Sequence, residues 1–204
     1  MRIAILTFEG FNELDSFIAS AMLNRVKNPE LEALIVCPSE QVASMNGVVV
    51  RSQARLSHAR EADAVIIGSG VHTREIVRTP GLMAELQLDP SRQLIGAQCS
   101  GALVLAKLGL LDGLPACTDS TTKPWVEEAG VKVLDQPFVA HGNVATAGGC
   151  LGSHYLAAWM IARLAGWKAA ESVVHYVAPV GQKREYVDRA LSIVKPYLPE
   201  LERV

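Results

Sequence analysis

The segment of residues 94–106, with the sequence LIGAQCSGALVLA, constrains the fold more than any other part of the chain. It opens as an apolar run of strand length and closes as an apolar helix. Between the two lies Cys99, with Ala97 and Gly101 two residues away on either side. This small-x-nucleophile-x-small pattern is typical of a nucleophile elbow, where a strand turns sharply into a helix. We therefore predict that Cys99 lies on strained backbone at a helix N-terminus, where N–H groups and the helix dipole favour a thiolate. The alternative is an ordinary buried cysteine of the core.

Strands and helices alternate along the rest of the chain. Buried strands are predicted at residues 2–7, 33–37 and 64–67, a hairpin at 42–50 that turns at Asn46-Gly47, and a short strand at 115–118. Helices are predicted after Asn12 and at about 74–78, 82–88, 122–129, 151–165 and 168–176. This order predicts a mainly parallel sheet covered by helices on both faces. We assign residues 1–204 to one domain, with an extra C-terminal helix at about 184–198.

Composition and charge limit the classes of partner that the chain is expected to bind. Half of the residues are hydrophobic, and 19 basic against 21 acidic side chains give a net charge of −2, so nothing favours binding to nucleic acid or to an anionic membrane. We find neither a signal peptide nor an apolar run long enough to span a membrane. The four cysteines lack metal-type spacing. These features predict a reduced, cytoplasmic protein with no metal, no cofactor and no structural disulfide.

Three loops leave the carboxyl ends of predicted strands, after Thr7, Ile67 and Gln98. In parallel sheets ligands bind at this edge. The loop after Ile67 reads Gly68-Ser69-Gly70, and adjacent glycines let backbone N–H groups approach a ligand closely. The N–H groups of Gly70 and Ser100 are therefore candidates for an oxyanion hole, and a plain turn is the alternative.

Asp15 lies in the first turn of the helix after Asn12. The apolar face predicted for this helix consists of Leu14, Phe17, Ile18, Ala21 and Met22. A carboxyl group at this sheet edge can take the proton of the Cys99 thiol or, if protonated, donate a hydrogen bond to the thiolate. The alternative is a capping box formed with Asn12.

Five further residues are candidates for the pocket. Asp119 and Cys117 alternate on one face of the predicted short strand, so either can point toward Cys99. His72 follows Gly70 by two residues, and Cys150 and His154 follow a second pair of glycines. An exposed turn acid and ordinary surface or core histidines are the alternatives. The sequence leaves open whether Cys117 or Cys150 comes near enough to Cys99 to resolve an oxidised thiol.

Together these motifs resemble the ThiJ/PfpI family, also called the Parkinsonism-associated deglycase superfamily. The resemblance spans roughly residues 2–180 and rests on residues 8–15, 67–70, 97–106, 109–113, 116–118 and 142–149. It implies a flavodoxin-like three-layer sandwich of the class I glutamine amidotransferase type and a homodimer. It also implies Cys99 as nucleophile, Asp15 as its acidic partner, and Gly70 and Ser100 as backbone oxyanion donors. An aspartate at the acid position, with the Gly-Leu-Leu-x-Gly segment at 109–113, is most similar to the isonitrile hydratase branch.

Besides the extra helix after Gly181, which is not typical of the isonitrile hydratase branch, the chain departs from the family pattern at three places. The usual Pro-Gly-Gly loop is Gly68-Ser69-Gly70, Asp119 stands where the family often has histidine, and residues 16–18 differ from the segment that follows the acid in isonitrile hydratases. Two carboxylates near one thiolate raise the pKa of the thiol unless one is protonated. We expect Asp15, as the more enclosed of the two, to be the protonated one.

The sequence supports three kinds of function. The first is a cysteine-dependent hydratase, hydrolase or lyase in which Cys99 attacks a small electrophilic substrate such as an isonitrile, aldehyde or amide. The second is a stress sensor whose Cys99 is oxidised to a sulfinic acid, or a glyoxalase- or deglycase-like protein. The third is a non-catalytic module that binds a small molecule.

Overall fold

The computed structural model describes residues 1–199. The strands are β1 (Arg2–Leu6), β2 (Glu32–Val36), β3 (Gln41–Ala43), β4 (Val49–Arg51), β5 (Ala64–Ile67), β6 (Leu94–Gln98), β7 (Phe138–His141) and β8 (Val144–Ala147). The α-helices are α1 (Glu13–Leu23), α2 (His58–Glu61), α3 (Thr73–Ile76), α4 (Pro80–Glu85), α5 (Gly101–Lys107), α6 (Lys123–Glu128), α7 (Ser153–Ala165), α8 (Trp167–Val177) and α9 (Lys183–Val194).

Six of the strands form one sheet in the order β2-β1-β5-β6-β8-β7. All neighbours in this sheet are parallel except β7, which runs antiparallel to β8. Alternate residues of β1 enter two apolar cores on opposite faces: Ile3 and Ile5 pack with α1, α7, α8 and α9, whereas Ala4 and Leu6 pack with α5 and α6. The predicted α/β sandwich with a flavodoxin-like, mostly parallel sheet is confirmed.

The predicted hairpin at residues 42–50 is present as β3 and β4, with Gly47 at a positive φ of 86° in the turn. The short strand predicted at 115–118 is wrong. This segment forms a single bridge between Ala116 and Val133. Its Cys117 N–H donates to the side-chain oxygen of Thr146, at 2.8 Å. The strand position beside β8 is taken by β7, because a tight turn returns the chain directly onto that edge.

The apolar face predicted for α1 is largely wrong. Asn12 caps the helix as expected, since its side chain accepts from Leu14 N–H at 3.1 Å. Leu14 and Phe17, however, are 49% and 38% exposed, whereas Asp15 and Ser16 are buried. The helix turns its polar first turn inward because Ser16 Oγ shares a 3.0 Å hydrogen bond with the buried hydroxyl of Thr7. Further along the helix, the inward residues are Ala19, Met22 and Leu23.

The predicted C-terminal helix is present as α9, which continues into a short 3₁₀ helix at Lys195–Tyr197. Residues 200–204, part of the predicted single domain, lie outside the described residues. Among residues 1–199, none of the helices combines the length and the apolar character needed to cross a bilayer.

Candidate active site

The sharp turn predicted at Cys99 is present. Cys99 has a φ of +47°, and it is the only non-glycine residue with a positive φ in the described part of the chain. Both of its backbone groups are held: its N–H donates to Ala147 O at 2.9 Å, and its carbonyl accepts from Thr118 Oγ1 at 2.8 Å. The surrounding structure therefore stabilises a backbone conformation that a non-glycine residue rarely adopts.

Gly101 explains why the turn needs a small residue on its helix side. A Cβ atom there would lie 2.5 Å from Ile67 O and 3.0 Å from Gly68 O. The start of α5 thus packs directly on the backbone at the end of β5. This close approach brings Cys99 beside the loop that follows β5.

Backbone hydrogen bonds join the loops that follow β1 and β5. Asn12 N–H donates to Ser69 O at 2.9 Å, and Val71 N–H donates to Gly10 O at 3.0 Å. A Cβ on Gly70 would lie 2.7 Å from Gly10 O, so the two backbones approach as closely as glycine permits. These contacts place the first turn of α1 next to Ser69.

Asp15 is fully buried where three parts of the chain meet. Ser69 Oγ donates to Asp15 Oδ2, and Ser153 Oγ, at the start of α7, donates to Oδ1 at 3.2 Å. The Asn12 N–H that a capping box would use donates to Ser69 O instead. The carboxyl group is therefore part of the site and does not cap its own helix.

Asp15, Cys99 and Cys150 form one cluster, in which a carboxylate oxygen and the two sulfurs all lie within 4.8 Å of one another. Asn12 Nδ2 donates to Cys150 Sγ at 3.1 Å. Gln98 Nε2 donates to Cys99 Sγ at 3.4 Å and to the carbonyl oxygen of the residue before Cys150 at 2.9 Å. Two thiols and a carboxylate also have the chemistry of ligands for a thiophilic ion.

Burial dominates the electrostatics of this cluster. It raises the pKa of Asp15, and the Ser69 and Ser153 hydroxyls and the Cys99 thiol only partly offset that effect. Burial, followed by the charge of Asp15, raises the pKa of the Cys99 thiol well above its usual range. Both oxygens of Asp15 accept hydroxyl hydrogen bonds, whereas Cys99 Sγ receives the long bond from Gln98. Of these two groups, Asp15 is therefore the better place for the resting negative charge, and our expectation that Asp15 is the protonated one of the two carboxyl groups stays a prediction.

The two predicted oxyanion donors differ in whether their N–H groups already have a hydrogen-bond acceptor. Gly70 N–H donates to Ser100 Oγ at 3.1 Å, and that hydroxyl also shares a 2.7 Å hydrogen bond with Thr73 Oγ1. The N–H of Ser100 itself has no acceptor among residues 1–199. One donor is thus available next to Cys99, and the other is occupied by a side chain with a second partner.

Asp119 lies close enough to the cluster that its charge raises the pKa of both Asp15 and Cys99. It is half-buried, and its Oδ1 accepts from the N–H groups of Thr121 and Thr122 at 2.9 Å. Cys117 is fully buried, and burial raises the pKa of its thiol to about 12.

The two candidate histidines lie away from the cluster. The side chain of His72 is 54% exposed, with its Nδ1 4.0 Å from Glu75. His154 lines an apolar cavity of about 260 Å³ between α1, α8 and α9, and burial lowers its pKa. A larger cavity of about 630 Å³ opens at the end of β2 and does not include Cys99, which is only 3% exposed. These cavities give no direct route to Cys99.

Sequence analysis did not assign roles to several residues that the structure places at the site. These residues donate hydrogen bonds to the cluster or to the turn at Cys99: Asn12, Ser69, Gln98, Thr118 and Ser153. Three of them lie at a strand end or in the loop that follows: Asn12 after β1, Ser69 after β5 and Gln98 at the end of β6. That position was a signal for Ser69 and Gln98. Ser153 gave no such signal, because it falls within the helix predicted at 151–165; in the structure it is the first residue of α7.

The sequence matches the DJ-1/PfpI family over residues 1–175. The chain belongs to this family. A search of curated proteins finds no match. Among solved structures, a ThiJ/PfpI family protein from Pseudomonas syringae is 20% identical, with a TM-score of 0.77, over 95% of this chain and 87% of the other.

Two further solved structures show the range of proteins that share the fold. Oxidized DJ-1 from Toxoplasma gondii is 18% identical, with a TM-score of 0.74, over 86% of this chain and 97% of that one. An AraC family transcriptional regulator from Pseudomonas putida is 17% identical, with a TM-score of 0.73, over 87% of this chain and 99% of that one. At these identities the likeness shows the fold alone.

Proposed function

We propose that this DJ-1/PfpI family member is an enzyme in which Cys99 attacks a small electrophilic carbon. One observation carries the proposal: a buried carboxylate, Asp15, lies within 4.8 Å of a cysteine sulfur held on strained backbone. Strain and a buried charge both cost stability, and such features cluster at functional sites. Since Cys99 is only 3% exposed, the substrate must be small.

The arrangement supports a specific order of proton transfer. Because Asp15 holds the resting charge, it takes the proton of the Cys99 thiol as the sulfur bonds to the electrophilic carbon. Negative charge then develops beside the N–H of Ser100, on the oxygen of an aldehyde or amide and on the attacked carbon of an isonitrile. Rotation of the Ser100 hydroxyl toward Thr73 frees the N–H of Gly70 as a second donor. Asp15 gives this proton to the adduct or, with an amide, to the leaving amine. For an isonitrile or an amide, water then adds to the carbon, the carbon–sulfur bond breaks, and the sulfur of Cys99 takes back a proton from that water.

Isonitriles, aldehydes and amides all present a carbon that this chemistry can attack. An isonitrile is the smallest of the three at the reacting atom, and an aspartate in the acid position is the feature of the isonitrile hydratase branch that this chain shares. We therefore place isonitrile hydration first, with amide hydrolysis and glyoxalase- or deglycase-like chemistry on aldehydes next.

The test is turnover of a panel of isonitriles, 2-oxoaldehydes and amides by the reduced protein. Cys99→Ser is expected to abolish turnover, and Asp15→Asn to reduce it by about 10²-fold or more, since a positioned base contributes about that much. Cys37→Ser is the matched control, because Cys37 lies in the core near Ser52. Turnover of the Cys99→Ser variant at the wild-type rate would refute the proposal.

A second candidate function is a binding module without turnover. It is favoured by the occupied N–H of Gly70 and by the raised pKa of the Cys99 thiol, both of which describe a site at rest. This function would be supported over catalysis by two results together: no compound of the panel is turned over, and a small molecule raises the melting temperature equally in wild type and Cys99→Ser.

We also propose that the chain forms a homodimer, as family members typically do. Support comes from apolar side chains that are exposed on α1, in the turn before α7 and at the end of α8: Leu14, Phe17, Leu151 and Val177 are 49%, 38%, 71% and 43% exposed. Light scattering is expected to report a dimer for wild type and a monomer for Phe17→Glu. Val49→Glu, on β4, is the control and should stay dimeric.

A further inference from the structure

We propose that Cys99 and Cys150 are a peroxide-reactive dithiol that closes to an intramolecular disulfide. The proposal goes beyond the enzymatic function above and does not depend on it. Its starting point is distance: the two sulfurs lie within 4.8 Å of each other. A disulfide requires about 2.05 Å, so the sulfurs must approach by less than about 3 Å.

The strand pairing brings the two cysteines together and keeps them there. Cys99 follows β6 and Cys150 lies three residues beyond β8, the parallel neighbour of β6. Cys99 N–H bonds to Ala147 O, and Gln98 Nε2 spans from Cys99 Sγ to Gly149 O. The pair is therefore a fixed feature of two adjacent strand ends.

Cys150 is the residue that moves to bring the two sulfurs into bonding distance. Cys99 is held at both its N–H and its carbonyl, whereas Cys150 opens a 3₁₀ turn directly after Gly149. A change of rotamer moves a cysteine sulfur by up to about 3 Å. A χ1 rotation of Cys150 breaks the hydrogen bond from Asn12 Nδ2 and is large enough for the required approach, while the backbone of the elbow stays in place.

Solvent exposure determines which of the two thiols reacts first with a peroxide. Cys150 is partly exposed and Cys99 is 3% exposed, so a hydroperoxide from solvent reaches Cys150 first. The sulfur of Cys150 takes one peroxide oxygen, becoming a sulfenic acid, and the other oxygen leaves as water or an alcohol. Asp15 then accepts the proton of Cys99, whose sulfur bonds to that of Cys150, and the hydroxyl of the sulfenic acid leaves as water with this proton. One hydroperoxide is reduced and two thiols are oxidised.

A metal ion is the other occupant that this cluster suggests. Both oxygens of Asp15 already accept hydroxyl hydrogen bonds, from Ser69 and Ser153, whereas each sulfur accepts one amide hydrogen bond, and sulfur is a weak acceptor. The cluster is thus better prepared for sulfur–sulfur chemistry than for a third ligand. It also differs from oxidation of Cys99 alone to a sulfinic acid, because a disulfide blocks that route.

The experiment is a titration of the reduced full-length protein with hydrogen peroxide, followed by alkylation and peptide mass spectrometry without reductant. Wild type is expected to yield one linked peptide pair containing Cys99 and Cys150, with Cys37 and Cys117 still alkylated. Cys99→Ser is expected to trap a sulfenic acid on Cys150 that reacts with dimedone. Peroxide consumption by Cys150→Ser is expected to fall at least about tenfold, since the accessible thiol is gone.

Four results would overturn the proposal: a sulfinic acid on Cys99 with Cys150 still free, a disulfide from Cys99 to Cys117, a Cys150–Cys150 link between two chains, or wild-type peroxide consumption by Cys150→Ser. Cys37→Ser is the matched control and should behave as wild type. These readouts do not use substrate turnover, so failure of the redox pair and failure of the proposed enzymatic function are distinguishable.

Discussion

Replacing Asp15 with asparagine tests how the site distributes its charge. A carboxylate oxygen of Asp15 lies within 4.8 Å of the Cys99 sulfur. At an effective dielectric constant of about 20, repulsion between a carboxylate and a thiolate at that distance is about 3.5 kcal/mol. Asp15→Asn removes this repulsion with little change in volume. It should therefore raise the thiolate fraction of Cys99 at a given pH by about two to three orders of magnitude.

The assay is the rate of iodoacetamide alkylation at Cys99 as a function of pH, followed by peptide mass spectrometry. The ratio of the alkylation rates of variant and wild type does not depend on the slow access of the reagent to the buried sulfur, because both proteins share it. Asp119→Asn is the control, because the charge of Asp119 is the smallest of the named causes that raise the pKa of Cys99. An unchanged profile in Asp15→Asn, or a larger acceleration in Asp119→Asn, would refute the assignment of the resting charge to Asp15.

Three further predictions concern the elbow and its neighbours. Gly101→Ala should destabilise the protein by about 1–3 kcal/mol in urea unfolding, because its Cβ would lie 2.5 Å from Ile67 O, whereas Gly81→Ala, in open space, should not; equal effects would contradict this. Ser100→Ala removes the hydroxyl that occupies a predicted oxyanion donor, so kcat should be kept or raised. A loss of about 10²-fold or more, which is the cost of one oxyanion donor, would contradict this prediction. Because burial raises the pKa of Asp15, its contribution to stability is present below the unfolded pKa and lost as pH rises through the folded pKa. The melting temperature of Asp15→Asn, measured relative to that of wild type, should therefore rise from acid to neutral pH. If the difference between the two melting temperatures stays constant over this range, ionisation of Asp15 does not contribute to the pH dependence of stability.

The elbow could be predicted because its determinants are local. A strand, a small residue, Cys99, another small residue and a helix all fall within thirteen consecutive residues. The close approach of Gly101 to Ile67 O is the physical reason for that spacing. The order of strands and helices, which sets the parallel sheet, could be predicted for the same reason, since each element carries its own apolar pattern.

The face of α1 and the hydroxyl donors could not be predicted in this way. Periodicity assigned Leu14 and Phe17 to the core because they are apolar, yet the inward face carries Asp15 and Ser16. The partners that permit their burial, Thr7, Ser69 and Ser153, come from distant parts of the chain. A helix that turns polar residues inward is recognisable only once those partners are known, and its exposed apolar residues then support the proposed dimer.

The two reactions proposed for Cys99 use the same sulfur, so each one affects the other. A disulfide with Cys150 would remove the nucleophile, while the Asp15 carboxylate that activates Cys99 toward carbon would equally activate it toward an oxidised Cys150. The carboxylate cannot favour one reaction without favouring the other, because Cys99 forms its new bond in both only as its proton passes to Asp15, over the same distance within 4.8 Å. What separates them is Cys150 itself, which lies on the exposed side of the cluster and has no part in the attack on carbon. Cys150 is thus the position at which sensitivity to peroxide can change while the chemistry at carbon is preserved.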